Sequence, residues 1–167
     1  ILQFPAGKGD RRWQVASGRL FLGIDHTAIV VASTDTALRF YRDTLGLRVV
    51  GASENHGPEQ ERLNNVPGAR LRITTLRAVA GPGVELLEYL TPRDGRALPA
   101  DSRANDLLTW QTLLTVTDPA ALPAALRAAS SPLVSPGVVR LAGMPLGFTR
   151  GLVARDPDGH AIQFRAR

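Results

Sequence analysis

The side chains able to act as acid, base or ligand are few and well separated. Three imidazoles occur, His26, His56 and His160, and cysteine is absent. Disulfides, zinc–thiolate sites, iron–sulfur clusters and cysteine nucleophiles are thereby excluded. His26 lies inside the β-branched run GIDHTAIVVA, so it projects from a strand. His56 falls in a polar stretch, and His160 follows the turn sequence DPDG, whose Asp156 and Asp158 read as turn formers. Glu85 sits in the apolar run GVELLEYL, where a carboxylate needs either an arginine partner such as Arg72 or Arg77, or a chemical task. The segment GKGD is not a phosphate-cradling loop: its spacing is wrong and no Ser or Thr follows Lys8.

The elements that must position these groups follow from periodicity. After GIDHTAIVVA, Thr34 or Asp35 is suited to cap a helix in which Ala37, Leu38, Tyr41 and Leu45 share a face. Gly46 stops it. LRVVGAS reads as a strand, SENHGPEQERLNNVPG as a loop, ARLRITTLRAV as a half-exposed strand, and GVELLEYL as the next strand. Residues 91–106 carry no periodicity. The order then repeats. LLTWQTLLTV is a strand, Asp118-Pro119 caps the helix ALPAALRAA, and VVRLAG, GFTRGLVARD and HAIQFRAR are strands. Trp110 must point away from the face that carries Gln111.

The chain is therefore read as β-α-β-β-β twice: a peripheral segment at 1–20, a first module at 21–92, a linker at 93–106 and a second module at 107–167. His26-Thr27 matches Gln111-Thr112. Arg77 precedes Glu85 as Arg155 precedes Gln163, and Gly81 matches Gly159. The offset drops from 85 to 78 between the two ends, which places an insertion of about seven residues in the long polar loop of the first copy.

At 167 residues the chain is one domain or two small ones, and its 44% hydrophobic and 21% charged residues are those of a globular protein. No apolar run approaches the ~20 residues of a membrane helix. The 20 basic residues, nearly all Arg, exceed the 15 acidic ones but are scattered. That argues against nucleic acid and favours neutral or anionic small molecules. Lack of cysteine makes a cytoplasmic home the default expectation. The chain does not begin with Met, and ILQF at its start echoes AIQF near its end. Both suggest the C-terminal module pair of a longer protein.

The GIDHTAIVV start, the TALRFYRDTLGLRVV passage, GVELLEYL and the RDPDGHAIQF ending together resemble the vicinal oxygen chelate superfamily: glyoxalase I, bleomycin-resistance proteins, extradiol dioxygenases and their relatives. The resemblance spans about residues 20–167 and implies an α+β fold. Two tandem βαβββ modules would form half-barrels around a shared cleft, closed within one chain or across a homodimer. It also implies up to four metal ligands, one from the first and last strands of each module. Those positions are His26, Glu85, Gln111 and Gln163, for a divalent ion such as Zn, Ni, Mn, Fe or Mg. Glu85 is the general-base candidate. Gln163 departs from the glutamate common at the fourth position, and an amide cannot act as a base. A two-histidine dioxygenase set is not met. The expected activity is a metal-dependent lyase, isomerase or epimerase acting on a small oxygen-rich substrate. A metal-free binding module and a non-catalytic half of a larger protein are the alternatives.

Overall fold

The computed structural model describes residues 3–15, 18–141 and 143–166. It is α+β, with two four-stranded mixed sheets built from two tandem modules. The first module comprises β1 (His26–Val30), α1 (Thr34–Leu38), β2 (Arg48–His56), α2 (Pro58–Asn64), β3 (Arg70–Arg77) and β4 (Gly83–Thr91). The second comprises β5 (Gln111–Thr115), α3 (Leu122–Ala128), β6 (Val139–Arg140), β7 (Arg150–Arg155) and β8 (Ala161–Ala166). The sheet orders are β1-β4-β3-β2 and β5-β8-β7-β6. In each, the first strand pairs parallel with the last and all other pairings are antiparallel. A parallel pair needs a crossover, and the module's helix lies on that path.

The repeat read from the sequence holds residue by residue. His26 pairs with Gly83 and Ala28 with Glu85, as Gln111 pairs with Ala161 and Leu113 with Gln163. Across the sheet, Thr75 faces Glu85 as Val153 faces Gln163. The extra residues of the first copy lie between β2 and β3, where they build α2.

Ser33, not Thr34 or Asp35, caps α1; its Oγ accepts from Thr36 N at 3.4 Å. The buried Glu88 carboxylate also accepts from Thr34 N at 3.0 Å, which suits the positive end of a helix. The helix then widens into a π-turn over Arg39–Thr44. The wider turn brings Phe40 into the core beside Tyr41, edge to face at 4.9 Å, whereas Leu45 is only partly buried. Gly46 ends the element at φ 76°, a conformation that costs glycine little.

Several expectations are corrected. SENHGPEQERLNNVPG is not a loop: β2 runs on to His56 and α2 follows. That helix buries Gln60 alone, so it leaves no apolar stripe; Pro58 at its start, Glu59 and Glu61 in its first turn and Arg62 in its last support it instead. β5 begins only at Gln111, because Arg103–Thr109 closes on itself: Arg103 N donates to Asp106 Oδ2 and Thr109 Oγ1 to Arg103 O. β6 is two residues long, with Ala142 of VVRLAG outside the described residues. Helix α3 starts at Leu122, after a turn in which Asp118 accepts from Ala120 N. Of the ILQF opening, Ile1 and Leu2 lie outside the described residues, and Gln3 to Pro5 are not in a strand.

One core spans both modules: Ile29, Ala37, Phe40, Leu76 and Leu86 of the first, with Leu126, Leu152, Ile162 and Phe164 of the second. A buried polar joint crosses it. Tyr41 donates its hydroxyl to Asp156 Oδ2 at 2.8 Å, and at the exposed edge Ala32 N donates to Asp158 Oδ1 at 3.1 Å. Asp156 Oδ1 meanwhile closes its own turn, accepting from Asp158 N and His160 N. Burial alone would raise the Asp156 carboxyl, but the hydrogen bonds from His160 and Tyr41 outweigh it and hold the group below the ordinary carboxylate range. This stabilisation is present above pH ~4 and is lost as pH falls through the depressed folded value. Tyr41→Phe should lower stability by about 1–2 kcal/mol, since it strips one hydrogen bond from a buried carboxylate. Asp156→Asn should cost more, about 2–4 kcal/mol near pH 7, and its deficit against the unsubstituted protein should shrink below pH 4; urea unfolding at both pH values measures this.

Candidate active site

Alternation along the strands sorts the first sheet into two faces. Ile29, Val84 and Leu86 turn toward the core. His26, Ala28 and Val30 of β1, and Glu85 and Leu87 of β4, occupy the opposite, open face. There His26 Nε2 and Glu85 Oε2 approach to 3.3 Å. Glu85 Oε1 accepts from the Thr75 hydroxyl at 2.9 Å, across the β3–β4 ladder. The carboxylate is therefore not paired with an arginine. Arg72 goes to Asp35 at 2.9 Å and Arg77 to Asp25.

Asp25, the residue before β1, organises the other side of the imidazole. His26 Nδ1 donates to its Oδ2 at 3.0 Å. Arg77 Nη2 lies 3.0 Å from both carboxylate oxygens, and Arg77 Nη1 donates to the Asp25 carbonyl at 3.0 Å. Trp13 Nε1 donates to Oδ1 at 2.9 Å. Burial would raise the Asp25 carboxyl, but the donors from His26, Arg77 and Trp13 prevail and lower it to about 2. Asp25 is an anion at any neutral pH, with its lone pairs committed. An acceptor of this kind fixes the ring so that Nδ1 carries a proton and Nε2 looks outward.

The arrangement can therefore present one imidazole nitrogen and one carboxylate oxygen at a common point. Two ligands about 2.1 Å from one divalent ion stand about 3 Å apart, and the Nε2–Oε2 pair has that spacing. The donor types suit the ion, and the carboxylate on Nδ1 is the usual outer partner of a ligating histidine. Among the described residues, no three histidine or carboxylate side chains form a metal-holding cluster. Any further protein ligand must be an amide, a carbonyl or a hydroxyl.

The two amides expected as ligands lie on the second sheet. Gln111 opens β5 and is exposed; Gln163 lies half-buried in β8. By alternation and register they share one face with Leu113, Thr115 and Arg165. Among the described residues neither amide side chain is hydrogen-bonded to His26 or Glu85. Arg165 donates through Nε to Thr115 Oγ1 at 3.1 Å. His160 is committed to Asp156, and Trp110 sits half-exposed beside its ring, centroids 6.1 Å apart. His56 lies at the far end of β2, near Glu54, Glu61 and Arg70. Neither histidine joins His26.

The sequence had pointed to His26 and Glu85. It missed Asp25, Thr75 and Trp13. An acidic residue just before a strand histidine was the available signal for Asp25, and the β3–β4 hairpin register for Thr75. Nothing in periodicity marks Trp13.

The family model for the glyoxalase/bleomycin resistance protein/dioxygenase superfamily matches residues 23–164. No curated protein matches the chain. Among solved structures, a glyoxalase family protein from Bacillus cereus is similar at a TM-score of 0.76 and 24% identity, covering 91% of this chain and 98% of that one. The trypanothione-dependent glyoxalase I of Leishmania major is similar at 0.56 and 19%, covering 86% of each chain. A lactoylglutathione lyase from Agrobacterium tumefaciens is similar at 0.53 and 18%, covering 89% of this chain and 96% of that one. At such identities these structures speak to the fold, and they have the one built here from two βαβββ modules. With the family pattern extending from just before β1 into β8, the chain belongs to the glyoxalase/bleomycin resistance protein/dioxygenase superfamily.

Proposed function

We propose that the chain is a divalent-metal-dependent lyase, isomerase or epimerase of the glyoxalase type, acting on a small oxygen-rich substrate. The observation that carries this reading is the convergence of His26 Nε2 and Glu85 Oε2, with Asp25 bonded behind the ring. His26 and Glu85 are the principal ligands; the amide oxygens of Gln111 and Gln163 are the further ones. A bound divalent ion supplies Lewis-acid polarisation of a substrate carbonyl or hydroxyl. A ligand set with one anion holds such an ion more loosely than a set with two carboxylates would.

Glu85 is the residue that moves a proton. Asp25 cannot, because His26, Arg77 and Trp13 occupy it. Glu85 has Thr75 on Oε1, which leaves Oε2 on the open face. Thr75 orients the carboxylate. The substrate is neutral or anionic, and Arg165 on the face shared with Gln163 favours a carboxylate-bearing one.

A second reading, a metal-free binding module, is favoured by the two neutral amides at Gln111 and Gln163, which can hydrogen-bond a ligand but cannot exchange its protons. Elemental analysis of dialysed protein separates the two. The enzyme reading expects near-stoichiometric divalent metal, lost in His26→Ala and at least about tenfold weaker in Glu85→Gln. Protein free of metal after divalent ions are added back overturns it and leaves the binding module. Thr75→Val should retain the metal and lower turnover about 10–100-fold, because it frees the carboxylate to rotate; a loss of metal there would show that Thr75 acts on binding instead.

A further inference from the structure

The family pattern begins at residue 23, yet a residue ten positions upstream reaches the site. Residues 3–15, ahead of β1, form a built arm. Its short 3-10 turn, Arg11–Trp13, is capped by Asp10, which accepts from Arg12 N at 2.9 Å. Gln14 Nε2 donates to the carbonyls of Lys8 and Pro5, folding the arm back on itself. The Arg12 guanidinium stacks 4.3 Å above the Trp13 ring. Gly23, at φ 148°, lies beside that ring: a Cβ there would stand 3.4 Å from it. The indole thus packs against Arg12 and Gly23, with its N–H aimed at Asp25 Oδ1.

We propose that Asp25 is a positioning residue for His26, and that Trp13 and Arg77 are the clamp that holds it, so that the N-terminal arm is part of the site. Asp25 gives Oδ2 to His26 Nδ1 while Trp13 bonds to Oδ1 and Arg77 bridges both oxygens. Two donors from different parts of the chain fix the carboxylate plane, and the carboxylate fixes the ring. Arg77 comes from the end of β3, so the sheet supplies one jaw and the arm the other. In the second module Arg155 matches Arg77, but the position matching Asp25 is Trp110, beside Gln111. The arm therefore serves the copy whose first strand opens on a histidine. This inference rests on the reading of His26 as a ligand, and its test is separable from it.

The test uses the full chain, stripped of metal with EDTA, and long-range proton–nitrogen NMR of the His26 ring. The unsubstituted protein should carry its proton on Nδ1, and Asp25→Ala should transfer it to Nε2. In Trp13→Phe the Nδ1 proton should exchange with water about tenfold faster, while amides of the core strands keep their protection and so show the fold retained. Cobalt(II) titration should then show affinity about 10–100-fold weaker in Asp25→Ala. An unchanged tautomer in Asp25→Ala overturns the role of Asp25, and unchanged exchange in Trp13→Phe overturns that of the arm. Failure of the unsubstituted protein to bind cobalt(II) overturns the metal reading alone, because the ring measurements are made without metal.

Discussion

Parallel pairing of the first strand of each module with its last is the constraint on which the structure turns. It forces a crossover, places the helix on one face, and leaves the other face open. It also sets a register. With His26 opposite Gly83, alternation delivers Glu85 to the same face as the imidazole, one strand away. A slip of one residue would send Glu85 into the core with Val84 and Leu86, where an unpaired carboxylate is costly. Burial of Ile29 and Leu86 on the core face therefore specifies the chemistry on the open one.

The two copies share this backbone but not its electrostatics. The first open face carries an imidazole, a carboxylate and a hydroxyl in mutual contact. The second carries two amides and a valine at the corresponding places. Charge is used differently as well. In the first copy an aspartate before β1 serves the histidine, whereas in the second an aspartate at the β7–β8 turn serves the joint with Tyr41. One copy concentrates polar groups at its surface, and the other spends them on holding the pair together.

Sequence patterning revealed the elements whose burial is one-sided. β3 and β4 alternate in burial along most of their length, and they lie where expected. Helix α2 has no stripe, since it buries only Gln60, so hydrophobic periodicity could not see it. The start of β5 was overestimated because Leu107 and Leu108 look strand-like but sit exposed in a turn closed by Asp106. Of the candidate site, the pair His26 and Glu85 is legible through the family motifs. Asp25 with its clamp was not, because Trp13 and Arg77 meet it across 12 and 52 residues, a juxtaposition that only the folded chain creates.

The equal register of the two sheets gives the chain the character of a duplicated socket. Trp110, Gln111, Val153 and Gln163 stand where Asp25, His26, Thr75 and Glu85 stand in the other copy. Side chains can be exchanged between the copies at matched backbone positions without a new turn, strand or crossover. A fold of this kind separates the cost of building a scaffold from the cost of changing its chemistry: one copy can stay committed while the other is free to diversify.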